Sequence, residues 1–199
     1  MKYYGARSSY GESIPIAVVG VITKVAMLYF SICIGLSQGL QPIASYNYGA
    51  KNYVRTKQAY IKALAAGSVT SILAFLLFQT IPRQITSVFG NGSEEYFEFA
   101  VKYFKIYLFC TFINNIQPLT SNFFSSIGKP KRGLFLSLTR QIIFLLPLIL
   151  IFPVFFGIDG IMYAGPIADG MAAFVSILFI VMEFRKKEYQ TKAATDKKM

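Results

Sequence analysis

Three stretches of the 199-residue chain, 71–78, 141–156 and 171–182, run for two or more helical turns without one charged side chain, while lysines and arginines gather between such runs. This segregation constrains the fold more than any other feature. A soluble core needs a polar covering that these segments do not supply. The solvent they fit is lipid, where a chain must satisfy its own backbone polar groups. Composition agrees, with 54% hydrophobic and 15% charged residues, against about 45–50% and 25% in ordinary soluble domains. The expected fold class is all-α, a polytopic membrane helix bundle of about five transmembrane helices.

At about 1.5 Å of rise per residue, five segments can cross roughly 30 Å of hydrocarbon. They are 14–45, 63–81, 104–126, 134–156 and 158–182. The first is unusually long and is expected to tilt or break near Gly35, Gly39 and Pro42. The connector 46–62 holds Lys51, Arg55, Lys57 and Lys62 with no acid, the turn at Lys129, Lys131 and Arg132 is wholly basic, and the tail 185–199 is basic in net terms. These three belong on the cytoplasmic face of a plasma (inner) membrane, which puts the C-terminus inside. The alternate connectors carry Arg83 with Glu94, Glu95 and Glu98, and Asp159, and fall on the outer face. Met1 is then external. On that pattern 1–13 is an external loop left from a missing preceding helix, 14–184 is the transmembrane bundle and 185–199 is a cytoplasmic basic tail. The chain is expected to be a fragment, or one half of something that needs another half.

The formal charge of +11 invites nucleic acid as a partner, since clustered cations neutralise phosphates. Here the cations sit in short connectors beside apolar runs, so no nucleic-acid partner is expected. Cys33 and Cys110 both fall inside apolar spans, and the chain has no histidine, which argues against a metal site. No cleavable signal is evident. Asn91, Gly92 and Ser93 match a glycosylation acceptor, a tripeptide too common to carry a role. No nucleophile–base pair or paired carboxylates stand out, so no catalytic residues and no enzyme are expected.

The spans carry polar stripes. In the third, Thr111, Asn114, Asn115, Pro118, Ser121, Asn122 and Ser125 fall within an arc of about 120°. Such a stripe avoids lipid and is either the wall of a hydrated solute pathway or interhelical hydrogen-bonding glue. Three asparagines and a proline exceed what packing alone needs, which favours the pathway. In the first span Lys24, Met27, Ser31, Gly35, Gln38 and Pro42 share one face, and Lys24 is either a functional cation or half of an ion pair. In the last span Gly160, Ala164, Ala168 and Ala172 form a small-residue packing seam. Beside it lies Asp169, which could bind a proton or a cationic group, or form a fixed pair with Lys24 or Arg140. Arg140, close to the basic turn, is expected to be structural. Pro42, Pro118, Pro147, Pro153 and Pro166 lie in or at the ends of spans, and bent helices are common in transporters.

The run GLSQGLQPIASYNYGA at 35–50, followed by Lys51, Asn52 and Arg55, resembles the span-to-loop signature of the multidrug and toxic compound extrusion (MATE) family. Arg140, Gln141 and Pro147, then FGIDGI at 156–161 and GPIAD at 165–169, are similar to its last two spans. The resemblance covers nearly the whole chain in the right order. It implies the C-terminal lobe of a two-lobe antiporter that exports cationic, amphipathic small molecules in exchange for H⁺ or Na⁺, rocking between inward and outward states. No cofactor other than the coupling ion is implied. Lys24, Met27, Gln38, Asn114, Asn115, Gln117 and Asp169 would line the substrate or ion pathway, with apolar contact from Phe112 and Tyr107. Pro42, Pro118, Arg140 and Pro166 would be structural or gating. Some members carry an acid where this chain reads Asn114, Asn115, Ile116 and Gln117, so the coupling carboxylate is expected in the missing N-terminal lobe. Two alternatives share the architecture: a flippase for lipid-linked oligosaccharides, with Lys24 serving a pyrophosphate, and a non-transporting membrane subunit.

Overall fold

The computed structural model describes residues 13–89, 92–186 and 189, and the helices account for almost all of them. The elements are α1 (Ser13–Gly49), α2 (Tyr53–Thr80), α3 (Pro82–Phe89), α4 (Glu94–Tyr107), a 3₁₀ turn (Phe109–Ile113), α5 (Ile116–Ser126), α6 (Pro130–Leu138), a π-helical segment (Thr139–Leu145) and α7 (Leu146–Phe184). All but the last residue of the expected external segment 1–13, and most of the tail 185–199, lie outside the described residues.

Local chemistry sets the boundaries. Asn52 caps α2 by accepting a hydrogen bond from the Arg55 amide, after a tight turn in which Lys51 takes a φ of 58°. The helix therefore starts well before residue 63, and Arg55, Lys57 and Lys62, expected in a connector, ride on its first turns. Ser93 caps α4 through the Tyr96 amide, with Glu94 and Glu95 against the positive end of the helix dipole. Gly128, at φ 73°, turns the chain out of α5, and Pro130 opens α6.

Four segments are long and apolar enough to cross a membrane: Ile14–Gly49, Tyr53–Thr80, Pro130–Phe156 and Asp159–Phe184. The fifth expected crossing, 104–126, is not one helix. Pro118 lies in the first turn of α5, and its ring would collide with the carbonyl of Asn114 if the helix continued through. The chain tightens to 3₁₀ geometry just upstream instead. In contrast, α1 stays helical through Gly35, Gly39 and Pro42.

α7 folds back on itself. Arg140 and Asp169 are 29 residues apart and in contact, although a straight helix would separate them by about 43 Å. Phe135 likewise stacks on Phe179, with ring centroids 5.6 Å apart. The reversal lies between Phe152 and Gly160, which it brings together: a Cβ on Gly160 would lie 2.4 Å from the Phe152 carbonyl oxygen. A first limb, to Phe156, and a second, Asp159–Phe184, thus run antiparallel.

Two apolar cores hold the bundle. One joins Val18, Ile22, Val25 and Tyr29 of α1 to Phe78 of α2, Phe99, Tyr103 and Phe104 of α4, and Met162. The other joins Leu40 and Ala44 of α1 to Tyr60 of α2, Phe123 and Phe124 of α5, Leu136 and Ile180. Hence α4 flanks the first half of α1 and α5 the second, and the broken series runs parallel to α1 along its length. The outer surface exposes Leu28, Leu73, Leu76, Leu150, Phe155 and Phe174, as a lipid-facing bundle must.

Candidate functional site: a polar layer between two apolar cores

Between the two cores, near the middle of the crossings, the interior turns polar. The π-helical segment lies at its centre. Leu146 donates its amide to Gln141, one residue further back than in an α-helix. Arg140 lies within this segment and points inward. Its Nε donates to Asp169 Oδ1 at 2.5 Å, with the two side chains 19% and 6% exposed. Asn114 Nδ2 donates to the other carboxylate oxygen at 2.7 Å. The guanidinium lies 4.8 Å over the ring of Phe30, close enough for a cation–π contact. Of the two partners open to Asp169, the structure takes Arg140. Lys24 is exposed on α1 and has no ion-pair partner among the described residues.

Further polar contacts spread from this pair. The Tyr29 hydroxyl donates to the Thr111 carbonyl at 2.9 Å and so accepts from Ser71, at 2.7 Å. Gln41 donates to Asn122, and Asn122 donates to Ser37, at 3.1 and 2.8 Å. Gln117 donates to the Leu136 carbonyl at 2.9 Å, and Ser121 to that of Gly133 at 2.7 Å, tying α5 to α6. Asn115 is buried against Gly67, where a Cβ would meet its Nδ2 at 2.5 Å. Neither of its amide atoms has a hydrogen-bond partner among the described residues.

The expected pathway residues therefore fall into two sets. Asn114, Asn115, Gln117 and Asp169 sit inside the bundle, with Pro118 at the start of α5 and Tyr107 packed against Gly165. Lys24, Met27, Gln38 and Pro42, together with Ser31 and Gly35, form an exposed face of α1. Phe112 is partly exposed in a cluster with Phe75 and Phe109. Pro166 borders a pocket of about 310 Å³ beside Tyr163 and Phe109. The small-residue seam is buried, with Ala164, Ala168 and Ala172 at most 1% exposed.

Sequence reasoning missed three features. Phe30, under Arg140, carries no polar signal. The Gln41–Asn122–Ser37 chain was half visible, since Asn122 belonged to the inward stripe. Glu183 is the third: it is fully buried and pairs with Lys129, with Arg132 at 2.9 Å and with Lys186 at 2.8 Å. An acid one residue beyond the expected end of the last span, opposite an all-basic turn, was the available clue.

The family model described as MatE matches residues 7–151. The multidrug export protein MepA of Staphylococcus aureus (strain bovine RF122 / ET3-1) is 21% identical over 167 residues, which are 84% of this chain and 36% of that protein. A solved MATE multidrug transporter, DinF-BH in complex with a ligand, is 33% identical, with a TM-score of 0.78 over 86% of this chain and 38% of its own. A MATE structure in the bent conformation superposes with a TM-score of 0.83 at 18% identity, covering 96% of this chain and 42% of its own. The chain spans about 36% of the length of the MepA relatives it matches.

Proposed function

The chain belongs to the MATE family of multidrug transporters, and on that premise we propose that it forms the C-terminal lobe of an efflux antiporter exporting cationic, amphipathic compounds in exchange for H⁺ or Na⁺. The observation that carries this is the exposed face of α1. Lys24, Met27, Ser31, Gly35, Gln38 and Pro42 line up over more than four turns, and among the described residues no helix covers them. A polar row of this kind suits water and a second lobe better than hydrocarbon. In the proposal it forms one wall of a central cleft, and a companion N-terminal lobe forms the other.

Transport follows by alternating access, the two lobes rocking about the cleft. Met27 supplies adaptable apolar contact and Gln38 neutral hydrogen bonding, suited to a range of flat cationic substrates. Inside the lobe Asp169 already accepts from Arg140 and Asn114, so an entering cation competes with a guanidinium for it. The coupling carboxylate is therefore assigned to the companion lobe, and the Arg140–Asp169 pair keeps this lobe's polar layer neutral. The basic ends of α2 and α6 support the reading that one face of the bundle meets the cytoplasm at the plasma (inner) membrane.

Cysteine labelling tests the proposal. In membrane vesicles holding the transporter assembled with its companion lobe, Met27→Cys and Gln38→Cys react with a water-soluble maleimide, and ethidium, a flat cationic dye, slows both. Failure of either site to react from both sides of the membrane, or reaction indifferent to the dye, overturns the cleft assignment.

A further inference from the structure

A groove of about 650 Å³ opens between the second half of α1 and the first turns of α2, lined in part by Gly35, Gly39, Ile43, Arg55, Gln58 and Lys62. Its two walls differ in character. On α1 a Cβ placed on Gly35 or Gly39 meets no atom within 4 Å, so the absent side chains are what open the trough, and Ile43 continues it as apolar wall. On α2, Arg55, Gln58 and Lys62 recur at helical spacing on one face. Arg55 and Lys62 stand about 10 Å apart along the axis.

The charge beside this trough is uncompensated. The sequence holds no Asp or Glu between Glu12 and Glu94, so neither α1 nor α2 carries an acid. No carboxylate pairs with Arg55 or Lys62 among the described residues. Because α2 begins at Tyr53 directly after α1 ends at Gly49, Arg55 lies at the membrane surface. Lys62 lies about 13 Å further in than the start of the helix, within reach of the headgroup layer by snorkelling. Cations at the mouth of an apolar trough that leads into hydrocarbon match a molecule with an anionic head and a long apolar tail.

We propose that this groove binds an anionic phospholipid, its phosphate held by Arg55 and Lys62 and one acyl chain laid along Gly39 and Ile43. Basic pockets between membrane helices bind acidic headgroups in this way. The inference rests on the membrane-spanning fold and stands whether or not the α1 face lines a substrate cleft.

The test is native mass spectrometry of the purified full chain in mild detergent, titrated with phosphatidylglycerol or phosphatidylcholine. One phosphatidylglycerol is retained in preference to phosphatidylcholine. Arg55→Gln/Lys62→Gln weakens that retention about tenfold or more, the effect expected for two basic residues at a charged membrane surface. Gly39→Leu fills the trough and weakens it independently, without touching a charge. Lys51→Gln/Lys131→Gln removes the same charge from exposed sites outside the groove and leaves retention unchanged. Equal retention of both lipids, equal loss in the outside-charge variant, or displacement of the lipid by millimolar inorganic phosphate each overturns the proposal. So does a Gly39→Cys thiol that a lipid-soluble maleimide cannot reach in delipidated protein, since a packed helix would then occupy the groove.

Discussion

Arg140 faces the interior of the bundle and meets Asp169 there. Sequence spacing left it beside a basic turn, with Asp169 free to choose between two cations, because a regular 3.6-residue period is the only geometry a sequence pattern supplies. In the structure Arg140 sits in the π-helical segment and its guanidinium meets the carboxylate at 2.5 Å. Removing one member of such a buried pair strands the other. Asp169→Asn is expected to cost about 3 kcal/mol, while Asp169→Asn/Arg140→Met costs less than the single change. Thermal unfolding of the three proteins in the same detergent checks this, and additive losses would show that the two groups do not interact. The inward direction of Asn114 was legible, since an amide avoids lipid. Its partner was not, because contacts between helices depend on a register that the sequence pattern leaves open.

At the level of elements, the helical character and the approximate crossings could be read directly, because apolar length and basic punctuation are local properties. The breaks could not all be read. Pro118 marked a bend, but a proline also sits inside α1, at Pro42, without ending that helix. What differs is the backbone upstream, which is 3₁₀ before Pro118 and α-helical before Pro42. The fold-back in α7 rests on Gly160, which lies against the carbonyl of Phe152. Gly160→Ala forces a methyl group into that contact and is expected to lower stability by about 1–3 kcal/mol. The loss is measurable as a lower Tm in detergent, and an unchanged Tm would mean that the two limbs do not meet there.

For the whole molecule, the outward-facing leucines, isoleucines and phenylalanines require a hydrocarbon solvent. After an alkaline carbonate wash, which strips peripheral proteins, the chain is expected to stay with the membrane pellet. Recovery in the supernatant would refute the bundle as described. The assignment of transport rests on family membership and on an uncovered helix face, neither of which composition alone could have supplied.

The division of the interior into apolar, polar and apolar strata has a mechanical consequence. Interlocked aromatic rings resist relative sliding, because any shift opens voids, and a hydrogen-bonded charge pair in a water-poor interior resists it as well, because any shift strands a polar group. A lobe built this way is braced at its waist as well as at its two ends and is expected to move as one stiff body, with slack only beside Asn115, whose amide has no hydrogen-bond partner among the described residues.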